Sequence, residues 1–257
     1  MPTRAGKRDA AAAYSALADE MLQPTLKTVS GYDLGRVIGQ GHFGTVRIGV
    51  HRLTNTRVAI KQLPKDPAPD LLFRELQLHR RLRHPHVVAL YEIIATERSI
   101  WLVSELCTGG ELFDYLVEKG RLALDESRRI LGQLVLGVAY LHHNGIAHRD
   151  LKLENVLLDG VLNVKVADLG LSREFEQGRL LDTWVGTLGY SAPEVLAGKR
   201  YLGHEIDIWS IGVIFHALLT GELPFDDDND ELVKAKILSG EYSPPSWLDE
   251  GTYLGTE

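Results

Sequence analysis

The chain has 257 residues, a formal net charge of -7 and a single cysteine. Its 44% hydrophobic and 25% charged residues are typical of a globular protein and exclude a fibrous or wholly disordered chain. The acidic excess argues against non-specific binding to nucleic acid or to an anionic membrane, and favours basic partners. One cysteine, Cys107, excludes an intrachain disulfide framework. Because the first 22 residues carry no secretory pattern, we expect an intracellular protein, in the cytoplasm or the nucleus.

The first half of the chain predicts a small sheet with one helix. Residues 1–31 are expected to form an N-terminal tail. Three segments rich in β-branched residues then alternate with turn residues, which predicts an antiparallel meander. The predicted strands are 32–38, 45–51, 57–63, 87–96 and 100–106, and the predicted helix is 71–82.

The second half is predicted to be mainly helical. The clearest helix is Asp125–Asn144, with Asp125 as its cap and Gly145 as its stop signal. The run Ile208–Leu219 is shorter than the ~20 residues of a membrane span, so it predicts a buried helix. A further helix is predicted at Asp230–Ser239. One apolar face of the first helix is predicted to belong to the core, through Ile130, Leu134, Val138 and Leu141.

Together these elements predict an α+β protein of two lobes. The small lobe is predicted at residues 32–106 and the larger lobe at 107–257, and a cleft between lobes is the default position for a ligand.

A glycine-rich segment separates the first two predicted strands. Gly39, Gly41 and Gly44 follow the spacing Gly-x-Gly-x-x-Gly, which also occurs in dinucleotide-binding folds. Those folds need a helix directly after the glycines, whereas Thr45–His51 has a strand pattern. An oxidoreductase built on this motif is therefore excluded, and a hairpin whose backbone approaches phosphates is expected, with an ordinary hairpin turn as the alternative.

Lys61 ends the apolar strand segment Val58-Ala59-Ile60. An inward-facing ammonium group there needs a partner, and Glu75 on the predicted helix is a candidate. The alternative is a lysine whose charged end reaches the surface.

Three further motifs follow in order: His148-Arg149-Asp150-Leu151-Lys152-Leu153-Glu154-Asn155, then Asp168-Leu169-Gly170, then Ala192-Pro193-Glu194. With the glycines and Lys61, this ordered set resembles the eukaryotic protein kinases from Tyr32 to about residue 245. Lys152 and the pair Gly186-Thr187 resemble the serine/threonine subclass. The segments 109–114, 207–212 and 223–226 resemble the calcium/calmodulin-dependent and AMP-activated kinase-like group.

The resemblance implies transfer of the γ-phosphoryl group of Mg-ATP to protein hydroxyls. It implies that Asp150 accepts or orients the hydroxyl proton, with Lys152 beside the transferred group, and that Lys61 is oriented by Glu75. Asn155 and Asp168 would hold magnesium. The implied nucleotide contacts are Ile38, Gly39, Gly41, Gly44, Val46, Ala59, Lys61, Glu105, Cys107 and Leu157.

Substrate binding and regulation are also implied by the resemblance. Glu111 and Glu154 would prefer basic residues upstream of the acceptor, although surface carboxylates are the alternative reading. Thr187 would contribute to the substrate site. Phosphorylation of Thr183 by an upstream kinase would dock a phosphate on Arg149 and order the segment, with a plain loop threonine as the alternative.

Several positions depart from the family pattern. Leu169 replaces the usual phenylalanine, and His79 stands where a leucine-like side chain usually completes the hydrophobic spine. The last helices of the large lobe are expected to be missing after the helix at 230–239. A kinase-like protein that binds nucleotide or a partner without turnover is therefore the alternative to an active enzyme.

Overall fold

The computed structural model describes residues 27–41, 44–65, 79–169, 173–174 and 186–242. These residues fall into two compact units. The first unit contains the described part of residues 1–64 together with 94–103, and the second contains the described part of 65–93 and of 104–257. The lobe boundaries expected from the sequence remain predictions.

The first unit is built on an antiparallel sheet. Its strands are β1 (Thr28–Val29), β2 (Tyr32–Gly41), β3 (Gly44–His51) and β4 (Arg57–Pro64), and the sheet is completed by β5 (Leu90–Ala95) and β6 (Ser99–Glu105). The strand order is β1-β2-β3-β4-β6-β5. Direct pairing of β2 with β3 and of β3 with β4 confirms the predicted meander. The sheet also includes Thr28 and Val29, which pair with Asp33 and Tyr32.

The side chains of β4 alternate in burial, so that one face of the sheet contributes to the core. Val58 and Ile60 are buried, and they pack with Trp101 and Val103 in the core of this unit. Ala59 and Lys61 are only partly buried. Because successive side chains of a strand point to opposite faces, Ala59 and Lys61 lie on the face away from this core.

The second unit is mainly helical. Its helices are α1 (Leu112–Lys119), α2 (Leu124–His143), α3 (Pro193–Leu196), α4 (Gly203–Thr220) and α5 (Asp230–Ser239). The core contains the predicted face of α2, since Ile130, Leu134, Val138 and Leu141 are all buried. Much of α4 is buried as predicted, although Ile208 is 60% exposed. None of the helices described in the structure is long and apolar enough to cross a membrane.

The predicted cap of the long helix is wrong. The N-cap of α2 is Ala123, no side chain caps it, and Asp125 lies inside the first turn. There its carboxylate still has a favourable position relative to the helix dipole. The helix ends at His143, and Gly145 follows with a φ of 72°, in the left-handed region that favours glycine.

A small sheet of β7 (Gly110–Glu111), β9 (Val156–Leu158) and β10 (Val164–Val166) lies in the second unit, in the order β10-β9-β7. Val156, Leu158, Val164 and Val166 are fully buried. Leu157 is the register partner of both Glu111 and Lys165, so these three residues share the opposite face. Two short strands, β8 (Ile146–Ala147) and β11 (Arg173–Glu174), pair antiparallel.

Candidate active site

Strand register in the first unit brings several predicted nucleotide contacts together. Gly39 pairs with Val46, and Val46 pairs with Lys61 on the next strand. Ala59 lies two residues before Lys61 and therefore on the same face. Strand register therefore brings the Lys61 ammonium group and the Val46 and Ala59 side chains onto one face of the sheet, with the backbone of Gly39 beside Val46. Ile38, next to Gly39 on β2, is 40% exposed.

The glycine turn between β2 and β3 closes on the pair Gly41 and Gly44. Gly44 has a φ of 154°, and a Cβ atom there would overlap the carbonyl oxygen of Gln62. At Gly39 a Cβ atom would meet only Val46, at an ordinary contact distance of 3.9 Å. The fold therefore requires glycine at Gly44, whereas its backbone accommodates a side chain at Gly39.

Asp150, Lys152 and Thr187 form a hydrogen-bonded triangle in the second unit. The Lys152 ammonium group donates to Thr187 Oγ1 at 2.9 Å and lies 3.4 Å from Asp150 Oδ2. The Thr187 hydroxyl donates in turn to Asp150 Oδ1 at 3.1 Å. Both charged side chains are mostly buried, at 13% and 15% exposure. A hydroxyl group between a carboxylate and an ammonium group is the environment that a phosphoryl acceptor would need.

Asn155 also binds the Asp150 carboxylate. Its Nδ2 donates to the Asp150 carbonyl oxygen at 2.7 Å and to Asp150 Oδ2 at 3.1 Å. The Asn155 backbone carbonyl accepts from Ala167 N at 2.9 Å, which joins this loop to the residue before Asp168. Because the amide nitrogen is bound to Asp150, the side-chain oxygen of Asn155 is its remaining ligand atom.

The buried carboxylate of Asp207 supports the start of this loop. Its Oδ2 accepts from His148 N at 2.8 Å and from His142 Nε2 at 2.7 Å, and its Oδ1 accepts from Arg149 N at 2.8 Å. Arg149 has a φ of 69°, a conformation that non-glycine residues rarely adopt. Asp207 therefore holds a strained peptide directly before Asp150. No local sequence pattern assigns Asp207 this role, although a carboxylate directly before the apolar run Ile208–Leu219 was the available signal.

His148 has a defined tautomer. Its Nδ1 accepts from Asp150 N at 3.3 Å, so the proton is on Nε2, which donates to the Ala167 carbonyl at 2.8 Å. The side chain is fully buried. His148 therefore links the backbone of Asp150 to that of Ala167.

Asp168 follows Ala167 with a φ of 52°, and its carboxylate belongs to an exposed residue. His79 lies close enough to Asp168 and His148 for both side chains to shift its pKa. The pKa of His79 is lowered to about 4, mainly by burial and in addition by the His148 ring, while the Asp168 carboxylate opposes the shift. Near neutral pH His79 is therefore an uncharged side chain.

Acidic side chains gather beside the triangle. Burial raises the pKa of Glu111, and the neighbouring Asp114 and Glu154 raise it further, against the pull of Lys152. Oε2 of Glu154 is buried and has no hydrogen-bond partner among the residues that the structure describes. A buried carboxylate oxygen without a donor is costly, so this cluster favours a cationic ligand.

The remaining predicted contacts of the second unit lie along β6 and the small sheet. The Glu105 amide donates to the Ala89 carbonyl at 2.9 Å. Burial, followed by the nearby Glu105 carboxylate, raises the pKa of the Cys107 thiol to about 12. Leu157 lies on the face of the small sheet away from its buried valines. Glu75 and Thr183 lie outside the described residues.

The chain belongs to the protein kinase domain family, which matches residues 32–247. Similar proteins are the serine/threonine protein kinases OSK3 and OSK4 of Oryza sativa subsp. indica, each 49% identical over 227 residues. A serine/threonine-protein kinase SIK3 homolog of Danio rerio is 44% identical over 230 residues. These relatives place the chain among eukaryotic serine/threonine kinases of the calcium/calmodulin-dependent and AMP-activated kinase-like group.

The matches cover 86% of this chain with each rice protein and 88% with the zebrafish protein. They cover 45% of each rice protein and 19% of the zebrafish protein. The chain therefore spans less than half the length of these relatives. What it shares with them is the kinase domain.

Proposed function

We propose that the chain transfers the γ-phosphoryl group of Mg-ATP to serine or threonine hydroxyls of proteins. The observation that carries this proposal is the triangle of Asp150, Lys152 and Thr187, braced by Asn155. Phosphoryl transfer depends mainly on positioning and on charge stabilisation, and this arrangement supplies both.

Asp150 is the proposed acceptor or orienting group for the proton of the substrate hydroxyl. Thr187 already donates a hydroxyl hydrogen bond to one of its oxygens, which supports the capacity of this carboxylate to bind such a proton. Lys152 is the proposed cation beside the transferred group, since its ammonium lies within 3.4 Å of the same carboxylate. The three groups would hold the acceptor oxygen in place for attack.

Protein kinases generally use ATP and magnesium, and the residues present fit the metal. Asn155 keeps its amide oxygen for a ligand, and Asp168 adds a carboxylate on an exposed residue, which together offer the oxygen ligands that Mg²⁺ prefers. When bound, the metal would neutralise phosphate charge. Asn155 would hold the metal through its amide oxygen while its amide nitrogen binds Asp150.

Each unit carries its own set of proposed nucleotide contacts. In the first unit Lys61 would bind phosphate oxygens, and the shared face of Val46 and Ala59 supports an apolar contact with adenine. In the second unit the Glu105 carbonyl would accept from the adenine amine, because the Glu105 amide is already bound to Ala89. The further proposed contacts are Ile38, Gly39, Gly41, Gly44, Cys107 and Leu157.

We also propose a preference for basic residues upstream of the acceptor. Burial raises the pKa of Glu111, and repulsion from Asp114 and Glu154 raises it further; an arginine or lysine side chain would relieve that repulsion. The unpartnered Oε2 of Glu154 would gain a donor. Phosphorylation of Thr183 by an upstream kinase, with Arg149 as the phosphate-binding residue, and a location in the cytoplasm or nucleus also remain predictions.

The proposal is tested with purified protein, radiolabelled Mg-ATP and a basic serine peptide. Transfer by the wild type should exceed transfer by Asp150→Asn and by Lys61→Met, which remove the proposed base and the proposed phosphate contact. Equal counts in all three proteins would contradict the proposal. Saturable nucleotide binding and a cooperative melt without transfer would favour the alternative, a kinase-like binding protein.

A further inference from the structure

Lys165 forms a close ion pair that the proposed chemistry does not use. Its Nζ lies 2.5 Å from Glu105 Oε1, and the two side chains are only 13% and 24% exposed. The other carboxylate oxygen of Glu105 accepts from Ala89 N at 3.3 Å. Short contact and partial burial distinguish this pair from a surface ion pair, whose contribution is usually small.

The pair connects three separate stretches of the second unit. Two hydrogen bonds join Ala89 to Glu105: the Glu105 amide donates to the Ala89 carbonyl, and the Ala89 amide donates to the Glu105 carboxylate. Two residues earlier, Val87 is bridged to Val166 on β10. Lys165 lies on the same strand as Val166, and its ion pair connects this strand to Glu105. The end of β6, residues 86–89 and β10 are thereby held as one cluster.

Glu105 is the anion in direct contact with this lysine, while the neighbouring polar groups are bound or uncharged. The Asp159 carboxylate is bound by the amides of Val161 and Asn163 and by the Asn163 side chain. The Cys107 thiol is neutral near pH 7 because its pKa is raised to about 12. Arg83 and Lys165 both act on the nearby phenol of Tyr91, but a phenol with a raised pKa supplies no charge.

The position of Lys165 relates this cluster to the proposed nucleotide contacts. Lys165 is the register partner of Leu157 and lies on the same face of the small sheet, where the adenine contact is proposed. It precedes the proposed metal ligand Asp168 by three residues. Its partner Glu105 carries the carbonyl group proposed to meet the adenine amine.

We infer that Lys165 is a positioning residue for nucleotide binding. Its ion pair with Glu105 fixes the proposed adenine-binding carbonyl at the end of β6 against β10, the strand that leads to Asp168. Lys165 acts through Glu105 and contacts neither the nucleotide nor the transferred group. The inference rests on the nucleotide binding that the proposed function requires.

The test measures nucleotide affinity in the full chain by calorimetry, with a non-hydrolysable ATP analogue and with adenosine. Removing one partner of a partly buried charged pair leaves the other unpaired, so Lys165→Met should weaken both ligands about tenfold. Because adenosine lacks phosphates, an equal loss for both ligands locates the effect at the adenine end. Lys165→Arg, which keeps the charge, should restore affinity to within about threefold of the wild type.

Lys119→Met is the matched control. Lys119 pairs with Glu126 at 3.0 Å on the same unit and is not one of the proposed nucleotide contacts, so nucleotide affinity should not change. The exchange variant, with Lys165→Glu and Glu105→Lys combined, should bind more tightly than either single change. A lower melting temperature of Lys165→Met with unchanged affinity would overturn the inference and leave only a structural role.

The transferase proposal and the positioning role of Lys165 can be contradicted independently of each other. If the wild type transfers phosphate and Lys165→Met keeps its nucleotide affinity, the positioning role is wrong and the transferase proposal stands. If the wild type binds nucleotide without transferring phosphate, and Lys165→Met weakens that binding, the positioning role stands and the transferase proposal is wrong. A wild type that binds no nucleotide contradicts both.

Discussion

The two units hold their functional side chains by different means. In the first unit, Val46, Ala59 and Lys61 share one face of a sheet because strand register and the two-residue period put them there. In the second unit, the Asp150 carboxylate is held by the side chains of Asn155, Lys152 and the distant Thr187, and the loop that carries it is held by Asp207. A register is built from many repeated backbone bonds, whereas the loop depends on a few particular polar atoms. Single polar substitutions should therefore do most damage in the second unit.

The largest expected effect is at Asp207. Asp207→Ala removes the acceptor for His142, His148 N and Arg149 N inside the core, so unfolding free energy should fall by about 3–5 kcal/mol and phosphotransfer should be lost. Asp207→Asn, which keeps one acceptor oxygen, should be intermediate. Urea denaturation and peptide phosphorylation measure the two effects.

Asp125→Ala is the control for that comparison, because the Asp125 side chain is 99% exposed and its contact with Arg128 is 4.0 Å long. It should change the free energy of unfolding by less than about 0.5 kcal/mol. Equal losses in Asp207→Ala and Asp125→Ala would show that the buried acceptor does not organise the loop.

The second expected effect is a dependence of stability on pH through His79. Its folded-state pKa of about 4 lies below the ordinary value of 6.5, so below pH 6.5 the unfolded chain binds a proton that the folded chain does not. Stability should therefore decrease as the pH falls from about 6.5 to 4, by up to about 3 kcal/mol. Urea titrations at several pH values measure this slope.

His79→Leu should flatten that part of the profile, because leucine does not titrate. His143→Gln removes a histidine from the exposed end of α2 and should leave the slope in place. An unchanged slope in His79→Leu would assign the acid sensitivity to other groups.

The contrast between regular strand or helix patterns and individual polar contacts also explains which parts of the structure were predicted correctly from the sequence. The meander and the buried face of α2 follow from local periods of two and 3.6 residues, and both predictions were confirmed. The helix cap at Asp125 was wrong because a favourable residue type does not fix where a helix begins. The support of Arg149 by Asp207 joins residues 58 positions apart, and no local pattern contains such a contact. The roles of Glu75 and Thr183 stay predictions.

A third prediction tests register in the first unit. Gly44→Ala places a Cβ atom against the Gln62 carbonyl oxygen, at a φ that alanine avoids, and should lower the free energy of unfolding by about 1–3 kcal/mol. Gly39→Ala meets only an ordinary contact with Val46, so it should unfold like the wild type. Thermal melts compare the two. A destabilised Gly39→Ala with a normal Gly44→Ala would contradict the steric account of this hairpin.

The smallest expected effect comes from the Thr187 hydroxyl. Thr187→Val keeps the shape of the side chain but removes the hydrogen bonds to Lys152 and Asp150, so kcat for a peptide substrate should fall about tenfold. Thr187→Ser keeps the hydroxyl and should retain most of the activity. Both variants should melt near the wild type, because Lys152 and Asp150 can still pair directly at 3.4 Å. A loss of kcat in Thr187→Ser equal to that in Thr187→Val would show that the methyl group, and not the hydroxyl, sets the geometry of the triangle.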